Sequence, residues 1–149
     1  MSTILLLSGP NLNLLGDREP EIYGTTTLDD LVTVATKRAA DLGHEIEHVQ
    51  ANSEGPLIDA IHGARGRCAA IVINPGALTH YARSIADALA AFDGPIIELH
   101  LSNTHRREQW RHTSVVSPVA TGVIAGFGAD GYDLAIRAAG RLIEQRGGV

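Results

Sequence analysis

Three residues capable of polar chemistry, Asn11, Arg18 and Tyr23, fall in one loop that reads SGPNLNLLGDREPEIYG from Ser8 to Gly24. An amide directs hydrogen bonds, a guanidinium is a permanent cation, and a phenol exchanges a proton once its ionisation is assisted. The loop is longer than a strand-to-helix link requires, and it reads as a candidate lid. Further along the chain, Asn74 opens an Asn-Pro-Gly break that also suits an ordinary turn. Glu98 and His100 stand two apart in ELH. On a strand that spacing puts both side chains on one face, so the carboxylate can hold or charge-stabilise the imidazole. Arg106, Arg107 and Arg111 lie in the run HRREQWRH, and recognition of an anion or carboxylate is the use that fits a few arginines in an acidic chain.

These residues need a scaffold that brings distant segments together. Thr3 to Ser8 is a continuous apolar stretch bounded by Gly9-Pro10, which predicts a strand buried on both faces. Thr27 and Asp30 form a capping-box pair ahead of the helical stripe Leu28, Leu31, Ala35 and Ala39, and Gly43 closes that helix. His44 to Gln50 predicts a weaker edge strand, and Glu54 to Ala64 a second helix. Cys68 to Ile73 predicts a central strand, Thr79 to Phe92 a third helix, and Pro95 to Leu99 a fourth strand. After the polar stretch Ser102 to Ser117, Thr121 to Ala125 predicts a fifth strand and Tyr132 to Gln145 the last helix. Strands alternating with helices imply a parallel sheet with right-handed crossovers, a flavodoxin-like three-layer α/β sandwich of strand order 2-1-3-4-5. In that order the carboxyl ends of strands 1, 3 and 4 bring Asn11, Asn74 and His100 to one crevice, where open α/β sheets bind their ligands.

Composition narrows the function classes. The 149 residues are 44% hydrophobic, enough for one substantial core and one domain. A net charge of -5 gives no general attraction for nucleic acid or anionic lipid. Cys68 is the only cysteine and sits in an apolar run, so it reads as a small buried hydrophobe in a reducing compartment. The run ILLL is too short to span a bilayer and lacks the flanks of a secretory signal, so the chain is expected to be cytoplasmic, with no membrane partner. Gly126 to Gly131 matches GxGxxG, but no βαβ unit follows it; close helix-to-strand packing explains it better than a dinucleotide. The spacing of His100, His105 and His112 fits no zinc pattern, and no metal is expected.

Five ordered segments carry a family resemblance: GPNLNLLG from Gly9, REPEIYG from Arg18, NPGALTH from Asn74, ELHLSN from Glu98 and SPVATGVIAG from Ser117. Together they span nearly the whole chain, which resembles the type II 3-dehydroquinate dehydratases of the shikimate pathway. It departs from the family at Leu78, often Tyr there, and at Ala86, often Arg.

The resemblance implies loss of water from 3-dehydroquinate to give 3-dehydroshikimate, with no cofactor, because the ketone stores the carbanion as an enolate. It implies Tyr23 as the base. A free tyrosine titrates near 10, so roughly one in a thousand is ionised at neutral pH. A cation about 4 Å away in an effective dielectric of about 20 is worth roughly 4 kcal/mol, enough for a downward shift of about two units. Arg18 is the expected cation, and Arg107 adds to it. His100, held by Glu98, is the implied general acid, and Asn11 holds a water against the enolate oxygen. Asn74, His80, Leu101, Ser102 and Arg111 are the implied substrate-binding residues. Asp87 reaches a neighbour's site in an implied homododecamer built from trimers. The unrelated class of dehydroquinate dehydratase forms a Schiff base on lysine, and Lys37, the only lysine here, falls on the first helix away from the strand ends. The fold alone also fits a receiver or a flavin- or nucleotide-binding module. Against a receiver, Pro10-Asn11 and Asn74-Pro75 stand where its acidic residues would be; against a flavin binder, aromatic content is only 4%.

Overall fold

A computed structural model describes residues 1–17, 21 and 25–147. Five parallel strands, β1 (Ser2–Ser8), β2 (His44–Gln50), β3 (Ala70–Asn74), β4 (Ile96–His100) and β5 (Gly122–Ala125), form one sheet in the order β2-β1-β3-β4-β5. This is the expected topology.

β1 and β3 lie inside the sheet and are buried on both faces, so their side chains serve two cores alternately. Ile4, Leu6 and Val72 face helices α1 (Leu28–Asp41) and α4 (Asp130–Gly147), whereas Leu5, Leu7, Ile71 and Ile73 face α2 (Glu54–Ala64) and α3 (Arg83–Ala90). Each such Leu or Ile contributes about 1.5–3 kcal/mol on burial. β2 is an edge strand with no fully buried position, as its mixed sequence suggests.

The capping box forms at α1: the Asp30 amide donates to Thr27 Oγ1 at 3.2 Å, and the Thr27 amide donates to Asp30 Oδ2 at 3.0 Å. The helix after β3 starts later than expected. Gly76–His80 is a 3-10 turn and α3 begins only at Arg83. Gly76 takes φ 59, a left-handed conformation that glycine enters at no steric cost. The turn carries Thr79 and His80 over the end of the sheet before the helix begins. Cys68 precedes β3 and is buried and unpaired.

The last glycine of the GxGxxG segment packs its helix closely against a strand, as expected. A Cβ at Gly131 would stand 3.0 Å from Leu99 Cδ1. Among the described residues no helix is long and apolar enough to cross a membrane.

Candidate active site

Register sets which polar groups meet at the carboxyl edge. Ser8 pairs with Asn74 across β1 and β3, and Ile73 with Glu98 across β3 and β4, so the loops after three strands leave the sheet side by side. The loop after β1 is pinned to the loop after β3. The Gly9 amide donates to the Asn74 carbonyl at 2.8 Å, and a Cβ on Gly9 would lie 2.2 Å from the Pro75 carbonyl oxygen. Asn11 follows at φ 69, the one non-glycine residue with positive φ among those described, and its amide donates to Asn52 Oδ1 at 3.0 Å. Left-handed backbone costs a residue with a Cβ about 1–2 kcal/mol, and asparagine is among the few that adopt it. The strain presents Asn11 at the rim.

Between these loops lies a cleft of about 130 Å³, lined in part by Asn11, Asn74, His80, His100, Leu101, Ser102, Arg107 and Arg111. Every one of them is an expected site residue. Glu98 stands behind His100 rather than in the lining. Asp87 lies outside the cleft, exposed on α3. Arg18 and Tyr23 lie outside the described residues. Lys37 is exposed on α1, away from the lining.

Glu98 pairs with His100 beneath the cleft. Both are buried, and Glu98 Oε2 lies 2.6 Å from His100 Nε2. The hydroxyls of Thr79 and Ser114 each donate to the same oxygen at 2.9 Å, and Ser117 Oγ donates to Oε1 at 2.5 Å. Burial alone would raise the carboxyl pKa. Hydrogen bonds from His100, Ser117 and Ser114, with the field of His100, outweigh burial and bring it down to about 2. Glu98 is therefore a fixed anion at neutral pH. It is placed to accept from Nε2–H and leaves Nδ1 to the cleft, the tautomer control that a buried carboxylate exerts on a histidine.

Thr79, Ser114 and Ser117 escape sequence reasoning because they come from two separate loops. The loop after residue 112 is wrapped onto Glu98 by its own backbone: the Val115 amide donates to the Thr79 carbonyl at 2.7 Å, and the amides of Val116 and Ser117 donate to Ser114 Oγ at 3.1 Å. Thr79 and Ser117 do lie in two of the segments that carry the resemblance, NPGALTH and SPVATGVIAG, and that is the available signal.

The opposite wall is basic. Arg111 lies 4.1 Å over the Trp110 ring and pairs with Glu108 at 3.2 Å; Arg107 reaches Ser102 Oγ at 3.4 Å. His80 contacts the Thr113 carbonyl through Nδ1 at 2.7 Å, and burial is the main cause that lowers its pKa, so it serves as a neutral ring at pH 7. Asn74 both holds a turn and lines the cleft. Its Oδ1 accepts from the Gly76 amide at 3.2 Å as a turn residue does, and its side chain also lines the cleft. The cleft thus joins a histidine–carboxylate pair to two amides and two guanidiniums, a set suited to proton transfer on a polyhydroxylated anion.

Comparison with known proteins agrees with this chemistry. A family model described as class II dehydroquinase matches residues 2–140. A catabolic 3-dehydroquinase 2 of Aspergillus flavus is 55% identical over 137 residues, 92% of this chain and 91% of that one. A 3-dehydroquinate dehydratase 2 of Pseudomonas putida is 55% identical over 143 residues, 96% of each. The crystal structure of a type II dehydroquinase from Propionibacterium acnes superposes with a TM-score of 0.90 at 47% identity, covering 95% of this chain and 97% of that one.

Proposed function

Since the chain belongs to the class II dehydroquinases and is a 3-dehydroquinate dehydratase of that type, we propose how its cleft removes water from 3-dehydroquinate to give 3-dehydroshikimate in the shikimate pathway. Tyr23, ionised with help from Arg18 and Arg107, abstracts the ring proton beside the ketone. The electron pair moves into the carbonyl to form an enolate, whose oxygen is held by a water on Asn11. As the enolate collapses, the hydroxyl leaves with a proton from His100, and a carbon–carbon double bond conjugated to the ketone forms. The proton taken by Tyr23 and the one given by His100 balance over the cycle, and the ketone stores the charge, so no cofactor enters.

The observation that carries the acid's role is the pairing of buried His100 with a carboxylate held ionised by three hydroxyls. Asn74, His80, Leu101, Ser102 and Arg111 bind the ring hydroxyls and the carboxylate, which fits their shared lining of the cleft. Asp87 serves a neighbouring subunit, which fits its exposure outside its own cleft.

The test is an absorbance trace of purified protein with 3-dehydroquinate. Growth of an enone band in the ultraviolet supports the reaction. A flavin spectrum in the protein and no enone band would overturn it.

A further inference from the structure

A buried polar chain runs beneath the cleft from Asn74, and its other members, Tyr132, Ser8 and His48, have no part in the scheme above. Asn74 Nδ2 donates to the Tyr132 hydroxyl at 3.3 Å, the Tyr132 hydroxyl is bonded to Ser8, and Ser8 Oγ lies 2.9 Å from His48 Nε2 on edge strand β2. Ser8 and Tyr132 have no exposed surface and Asn74 has 3%. His48 is the half-buried end of this chain.

One arrangement of protons satisfies every donor in this chain. Asn74 Oδ1 must accept from the Gly76 amide, so Nδ2 faces Tyr132 as a donor. In that arrangement Tyr132, a neutral phenol whose pKa burial raises, places its own proton on Ser8, and Ser8 donates to His48 Nε2. The last acceptor exists only while the imidazole is neutral and carries its proton on Nδ1. The geometry points to His48 as a positioning residue for Asn74, acting through Ser8 and Tyr132 and requiring a neutral ring.

Protonated His48 turns Nε2 into a donor. One hydroxyl proton of the Ser8–Tyr132 pair is then left without an acceptor, and turning the Asn74 amide, at the loss of the Gly76 bond, supplies one. Among the groups facing His48, Ser8 comes from β1, Tyr132 stands beyond it on α4, and Asp29 in the first turn of α1 supplies the field that favours the cation. Burial works the other way and prevails, holding the ring pKa below its ordinary value, so the chain is intact at neutral pH and fails on acidification.

This inference rests on the reading that Asn74 binds substrate, and the test separates the two. In ligand-free protein, the Asn74 side-chain amide resonances are followed by NMR while His48 is titrated. They are expected to move with the His48 midpoint, and the response should disappear in Tyr132→Phe while His48 still titrates. In kinetics, KM for 3-dehydroquinate should rise about ten-fold as pH falls through that midpoint, the scale of one lost buried hydrogen bond. His48→Leu should raise KM throughout. His48→Gln, whose amide oxygen accepts from Ser8 but does not titrate, should rescue it and remove the acid rise. Asn74 resonances indifferent to His48, or an acid rise of equal size in His48→Gln and wild type, would overturn the proposal. An Asn74→Ala variant with unchanged KM would instead remove the substrate-binding reading, with the resonance coupling still present in wild type.

Discussion

Glu98 is subject to two opposed effects of burial. Loss of water penalises its charge, yet the same enclosure aligns three hydroxyls and an imidazole on two oxygens, and the alignment prevails. A carboxyl lowered from 4.5 to about 2 contributes stability that is full above its ordinary pKa and is lost as pH falls through about 2. The contribution is of order 3 kcal/mol. Glu98→Gln, which titrates nowhere, should therefore differ from wild type in unfolding free energy by an amount that shrinks on going down from about pH 4.5 to about pH 2. Its turnover at neutral pH should fall by at least about 10²-fold, since the imidazolium loses its counter-charge. Denaturant titrations at stepped pH check the first effect, and a pH-independent difference would remove the ionised carboxylate from the account. At Arg18 the sign is opposite in origin. Removing a cation raises a neighbouring phenol's pKa, so in Arg18→Ala the acid limb of the pH–rate profile should move upward toward about 10. An unmoved limb would show that the limb does not report Tyr23 beside Arg18.

At the scale of elements, the site depends on two loops locked together at Gly9 and Pro75. Gly9→Ala would force a Cβ to within 2.2 Å of backbone oxygen, which no side-chain rotation relieves. We expect it to cost at least about 2 kcal/mol and to displace Asn11, so that a melting curve and an activity assay fall together. A variant as stable as wild type would mean that the two loops separate freely. The sequence made the strands and α1 legible, because double-sided burial writes continuous apolar runs and the Thr27–Asp30 cap is a purely local signal. It also placed Asn11, Asn74 and His100 at one edge, since topology alone decides that. The start of α3 was not legible: the apolar stripe Ile85, Ala88, Leu89 and Phe92 is helical in phase, but Gly76 and the contacts of Thr79 with Glu98 hold the preceding residues in a tighter turn. The hydroxyls around Glu98 and the Tyr132–Asn74 bond were hidden for another reason. They join segments up to 58 residues apart through side chains that carry no periodic signal.

At the scale of the whole molecule, the cleft of one chain accounts for every expected ligand-binding residue among those described except Asp87, which faces outward from α3. Shared sites in an assembly of subunits reconcile that position with a role in binding. Sedimentation should then find active enzyme only as an oligomer, and Asp87→Ala should lose activity without losing its fold; active monomers, or full activity in the variant, would remove the idea. The account as a whole turns on an acid and a base acting across one cleft, with His100 held by β4 and Tyr23 carried by the loop after β1. Its most direct test is the initial rate of enone formation from 3-dehydroquinate by Tyr23→Phe beside wild type. The account predicts a loss of about 10²–10⁴-fold, the contribution of a positioned base. A variant retaining more than about a tenth of wild-type turnover would contradict it and place the base elsewhere.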